Sequence, residues 1–301
     1  MKVVETWVLF ALASAFLLAL TDVADKILLG KHVPSVRAYT IFSALVQFTV
    51  GAVLITLAPL PPALSLETLA WMLASGVLVT ATYYLFYASV KSGSIARVIP
   101  ALYVYPLLTL LFATAFLGER VSQTQAFGVI LVVFGVTLTA FRKKGWKLEL
   151  RSGIALMLCA ALAVAAINVI EKHVLQFVSP WTLVGFTGVE LGVLILSTLA
   201  FKKTREEFAV AASKPLVATA ALACEALGMV SYVLTAFAIQ STLVSLVAPI
   251  IAVRPILVLA LSALLGFVAP KHAIEKLTRK KSALKLAGAL IVAAGAALVL
   301  S

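Results

Sequence analysis

The chain has 301 residues, 63% of them hydrophobic and only 12% charged, with a mean hydropathy of +1.12. A soluble globular chain is nearer half apolar and a quarter charged, so this sequence lacks the polar surface for a water-soluble core, and its main solvent is lipid. The net charge of +12 sits in short segments between long apolar runs, which points to anionic lipid headgroups as a partner and away from nucleic acid.

A membrane helix needs about 20 predominantly apolar residues. Ten stretches qualify: 7–29, 39–60, 69–90, 94–117, 123–141, 153–175, 181–200, 216–238, 242–266 and 283–300. The first is too long for a signal-peptide core and belongs to the series, so it reads as a span. It carries Asp22, Asp25 and Lys26 late in its course. The third holds Tyr83, Tyr84 and Tyr87; the fourth opens with Arg97 and contains Pro100 and Pro106. Gly128 and Gly135 mark the fifth, and the basic connection RKKGWKLELR (142–151) follows it. Asn168, Glu171 and Lys172 lie late in the sixth, Glu190 mid-way in the seventh and Glu225 in the eighth. The ninth contains Pro249, Arg254 and Pro255, and the tenth Gly288 and Gly295.

Charged groups near a bilayer centre cost about 2.5–3.5 kcal/mol even on the most lenient scale, so they face protein or water. Arg254 is therefore expected to pair with Glu190, Glu225 or a substrate carboxylate, either lining a site or fixing helices together. Asp22 and Asn168 are candidates for proton or substrate contact. Arg97 and the two lysines either snorkel to the headgroups or, for Arg97, attract an anion. Tyr84 and Tyr87, three apart, form one wall of a pocket or anchor the interface. Pro100, Pro106, Pro249 and Pro255 interrupt helical bonding, as in kinked or broken helices beside a cavity. The glycine pairs suit close helix packing. Cys159 and Cys224 read as small buried side chains. The three histidines have no companion at metal-ligand spacing, so neither metal nor cofactor is expected.

The halves echo each other. TDVADK (21–26) matches INVIEK (167–172), PALYVYP (100–106) matches PIIAVRP (249–255), and the glycine spacing of the fifth span recurs in the tenth. Five spans per half reverse the direction of the second. The expected fold is an all-α polytopic membrane protein of ten transmembrane helices, built as two inverted five-helix repeats, residues 1–145 and 146–301.

The segment 88–136, with a small-residue run before Pro100, then Pro106, LGER at 117–120, Gly128 and Gly135, resembles the EamA type of the drug/metabolite transporter superfamily. The resemblance implies a ten-helix carrier of small organic solutes with a cavity lined by spans one, three, four, six, eight and nine. It implies a structural role for Glu119. The second half departs from the pattern: after LLG at 264–266 comes FVAPKHAIEKLTRKK instead of a GER turn, and Arg254 is unusual.

Connections after the odd-numbered spans, with Lys285 at the start of the tenth span, hold 18 of the 24 Lys and Arg, which by charge alone puts both termini outside. The resemblance implies the opposite orientation. The leading function is alternating-access transport of an amino-acid-like or amphipathic metabolite in the cell membrane, with Asp22 or Glu225 as a coupling acid. A flippase for lipid-linked substrates or a non-transporting scaffold is the alternative. No clustered nucleophile or metal set suggests an enzyme.

Overall fold

The computed structural model describes residues 5–31, 35–92, 95–140, 152–268 and 279–301, and every regular element among them is helical. Helices α1 (Thr6–Lys31), α2 (Val36–Leu57) and α3 (Leu66–Ser92) are continuous. The fourth apolar segment is split into α4 (Ile95–Leu102) and α5 (Tyr105–Leu117), and α6 (Gln123–Ala140) follows. Then come α7 (Ser152–Val174), α8 (Pro180–Leu196), a 3₁₀ turn (Ser197–Ala200) and the short α9 (Lys202–Ala212). Helix α10 (Pro215–Ser241) precedes a second split segment, α11 (Val244–Ile251) and α12 (Arg254–Val268), and α13 (Arg279–Val299) closes the chain.

Eight of the ten expected spans are helical segments long and apolar enough to cross a membrane; the fifth and tenth, Gln123–Thr139 and Ala283–Val299, are shorter apolar helices. The connections 142–151 and 269–278, which hold much of the basic charge, lie outside the described residues.

Local sequence explains the ends and the breaks. Ser35 and Ser179 cap α2 and α8 in the same way, each hydroxyl accepting the amide three residues on. Those caps are 144 residues apart, so α2 and α8 match two residues out of the register set by TDVADK and INVIEK. Gly118 ends α5 at φ +67°, a left-handed conformation that suits a residue without Cβ. Pro106 and Pro255 have no amide to donate and stand one residue into α5 and α12, so the chain turns at Tyr103–Val104 and again at Ala252–Val253. Pro100 and Pro249 each occupy the sixth residue of an eight-residue helix.

The helices pack as antiparallel pairs. Helix α6 lies on α13 through the two glycine pairs: a Cβ on Gly128 would come within 2.8 Å of the Gly295 carbonyl, and one on Gly135 within 2.8 Å of the Gly288 carbonyl. Helix α2 crosses α8 where Gly51 meets Gly185 and Gly188. Helix α1 runs along α10, with Ser14 bonded to Ser231 (2.9 Å) and Thr235 (2.7 Å). Helix α3 runs along α7, with Ser89 donating to the Gly153 carbonyl at 2.6 Å. The largest buried cluster includes Trp7, Met72, Val174, Ile239 and Val244, and it closes the end of the bundle where α1 begins.

Candidate functional site

Two networks tie the α10–α11 turn to the rest of the bundle. Glu119, 6% exposed, accepts the amides of Val244 (2.9 Å) and Ser245 (3.0 Å) and the Ser245 hydroxyl (2.5 Å). It caps α11 from another part of the chain, placing a carboxylate on unsatisfied N–H groups at a positive helix end. Lys172 donates to the carbonyls of Ile239 (2.8 Å) and Thr242 (2.6 Å) where α10 ends, so its charge serves a helix C-terminus instead of the headgroups. Both grips fall on the α10–α11 turn.

Deeper in the bundle, the two breaks face one another. Tyr105, at the start of α5, donates its hydroxyl to the Ala248 carbonyl of α11 at 3.1 Å. Arg254, at the start of α12, donates from Nε and Nη2 to the two carboxylate oxygens of Asp22 on α1. This fork geometry is the strongest form of an arginine–carboxylate pair. The Arg254 and Asp22 side chains are 28% and 33% exposed, and Asp22 lies about two thirds of the way along α1, three residues before the end of its apolar stretch Thr6–Asp25. The partner of Arg254 is thus Asp22, which corrects the expected pairing with Glu190 or Glu225. Helices α1 and α12 pack side by side, a proximity that span order does not disclose.

Around this pair lies a second acidic group. Asp25, one turn on from Asp22, accepts the hydroxyl of Tyr39 on α2, and Glu225 on α10 accepts the hydroxyl of Ser43 at 2.7 Å. Tyr39 and Ser43 are almost fully buried. Tyr83 is also directed at Ser43, whereas its neighbour Tyr84 is 52% exposed and is not part of the group. The side chains of Tyr87, Arg97 and Lys26 lie outside the described residues.

The matching place in the second half of the chain is differently furnished. Asn168 on α7 donates to the hydroxyl of Thr109 on α5 at 3.1 Å. Glu171, 1% exposed, accepts the hydroxyls of Tyr232 and of Ser75, the latter at 3.3 Å. Glu190 on α8 presses its Oε2 into the notch left by Gly76 on α3, where a Cβ would lie 1.9 Å away, and that buried oxygen has no hydrogen-bond partner. The structure thus brings Asp22, Glu225 and Arg254 into one region and keeps Asn168 and Glu190 apart from Arg254. Tyr39, Ser43, Ser75, Thr109 and Tyr232 were not singled out from the sequence. Tyr232 alone had a signal there, since it repeats the place of Tyr83 on the matching helix; the hydroxyl residues look like ordinary helix-filling side chains.

Residues 5–141 match the EamA-like transporter family. The match covers just under half of the chain, so it is the first half that is similar to that family. Eight described helical segments are long and apolar enough to cross a membrane, as in a multi-pass integral membrane protein, and the split helix with Pro100 and Pro106 lies inside the matched stretch. A solved structure described only as a crystal structure of protein superposes over 98% of this chain and 98% of its own, with a TM-score of 0.74 and 16% identity, which establishes a shared fold and no more. No curated relative matches the chain.

Proposed function

We propose that this protein is a secondary carrier for a small organic metabolite, amino-acid-like or amphipathic, working by alternating access in the cell membrane. The observation that carries the reading is the Asp22–Arg254 pair. It joins α1 to the break between α11 and α12, and it is partly exposed about two thirds of the way along α1 while the α1-start end is tightly packed. An ionised pair inside an apolar helix bundle is a functional-site candidate by default.

The moving parts are two inverted five-helix halves, residues 1–145 and 146–301. Support comes from the pairing of helices: α1–α10 exchanges with α7–α3 and α1–α12 with α7–α5 under one two-fold operation, while α2–α8 and α6–α13 each map onto themselves. The equal eight-residue pieces α4 and α11 and the equal lengths of α3 and α10, 27 residues each, agree with that symmetry. Release of the Glu119 and Lys172 grips on the α10–α11 turn would open the closed end as the other end shuts.

A flippase acting on lipid-linked substrates is the second reading. It is favoured by an apolar cleft of about 390 Å³ lined by Phe10, Trp181, Val230, Val233, Leu234 and Phe237, wide enough for an acyl chain. Counterflow exchange of labelled amino acids and organic acids in proteoliposomes tests the carrier reading. Exchange that Arg254→Leu abolishes supports it. Movement of fluorescent lipid with no solute exchange replaces it with the second.

A further inference from the structure

We propose that the substrate carries a carboxylate which takes the place of Asp22 on Arg254, and that Asp22 accepts one proton from the same compartment as it lets go. The inference rests on the carrier reading and adds the substrate class and the coupling to it.

The geometry of the pair favours the exchange. Among the described side chains around the pair there is one cation, Arg254, and three carboxyl groups, Asp22, Asp25 and Glu225. The one guanidinium is already engaged at both Nε and Nη2 by Asp22, so an incoming anion would crowd a second carboxylate against Asp22 unless Asp22 gave up its place. Each carboxyl group has its own partner. Asp25 is held by Tyr39 and Glu225 by Ser43, both neutral donors that stay where they are. Asp22 is held by Arg254, so it is the group stranded when Arg254 turns to a substrate.

A carboxylate left unpaired inside a membrane protein is costly, and protonation removes the cost. The step balances simply. The substrate carboxylate accepts the Nε–H and Nη2–H donors that Asp22 gave up, and one O–H bond forms on Asp22 from a solvent proton. No other bond is made or broken.

The groups that face Asp22 from its neighbours fit this assignment. Helix α12 presents Arg254 alone, α10 presents Cys224 and Glu225 toward Asp25, and α11 has no titratable residue. Tyr103 and Tyr105, beside the break in the fourth segment, lie near Arg254. Tyr232 is engaged with Glu171. Asp25 follows one turn along α1, and the Lys26 side chain on the same helix is undescribed. In the second half the counterpart of Asp22 is Asn168, an amide that cannot take up a proton, so the predicted stoichiometry is one proton per carboxylate.

The two tyrosines make benzoate a suitable probe: a flat ring bearing one carboxylate. Calorimetric binding to the full-length protein in nanodiscs, in two buffers of different ionisation enthalpy, reads the proton directly. Wild type is expected to take up about one proton per benzoate, with Kd weakening about tenfold per pH unit between about pH 6 and 8. The near-isosteric Asp22→Asn should bind benzoate with no proton uptake and a flat pH profile, and Arg254→Gln should lose at least about 100-fold in affinity. Benzoate binding without proton uptake in wild type overturns the proposal whether or not either variant folds. So does a pH slope kept in Asp22→Asn, or full affinity in Arg254→Gln. Binding of benzylamine or benzamide but not benzoate overturns the carboxylate assignment and leaves the carrier reading standing. Absence of any solute exchange in proteoliposomes removes the carrier reading and this inference with it.

Discussion

The two helix breaks share a backbone and differ in chemistry. Both turn just ahead of a proline, at Pro106 and Pro255, and both begin the outgoing helix one residue earlier, with Tyr105 in one and Arg254 in the other. The first break meets α7 through a neutral contact, Asn168 to Thr109; the second meets α1 through an ion pair, Arg254 to Asp22. The segment ends differ as well. Helix α5 stops at Gly118, leaving Glu119 free to cap α11, while α12 runs on through Gly266 to Val268 and places Phe267, 86% exposed, where the matching glutamate would stand. The comparison teaches that prolines supply the break and that substitutions within a common pattern decide which break is charged and which end is latched.

The largest expected effect separates the breaks directly. Arg254→Leu should reduce solute exchange in proteoliposomes by about 100-fold or more, while Tyr105→Phe, which loses one neutral hydrogen bond, should stay within about threefold. Equal losses would mean that the charge has no special role. Next comes the latch present in one half only. Glu119→Ala strands two buried amides and a hydroxyl and should cost about 3 kcal/mol in denaturant unfolding in mild detergent, with Glu119→Gln recovering about half. The pairs across the two breaks come third: Asp22→Ala should cost about 2 kcal/mol, limited by the partial exposure of the pair, against about 1 kcal/mol or less for Asn168→Ala. The smallest effects concern glycines. Gly295→Ala forces a Cβ to 2.8 Å from the Gly128 carbonyl and should cost about 1–3 kcal/mol, whereas Gly228→Ala meets nothing within 4 Å and should be neutral or stabilising by up to about 1 kcal/mol. Thermal melting of the two variants side by side checks this.

Much of the fold was legible because lipid imposes strong rules on composition. Apolar run lengths located the helices, and the proline pairs located both breaks, since Pro acts through its own missing amide and ring. The paired glycines of α6 and α13 pointed to close packing for an equally local reason. Partner choice was not legible. Arg254 was matched with Glu190 and Glu225 because their depths along the helices are similar, but depth carries no information about which helices are neighbours. Asp22, given a role of its own, is the actual partner because α12 lies beside α1. Glu190 looked like a free charge among apolar residues, yet its place is set by Gly76, a residue notable only for the side chain it lacks. The hydroxyls of Ser43 and Thr109 gave no signal, since serine and threonine in a membrane helix usually satisfy their own backbone, as Thr80 and Thr82 do here.

The bond from Tyr105 to the Ala248 carbonyl ties one hinge to the other. Two elbows fastened together cannot flex independently: straightening one drags the neighbouring joint. A form with a single bent arm would have to break that fastening first, so the two elbows should bend and straighten together.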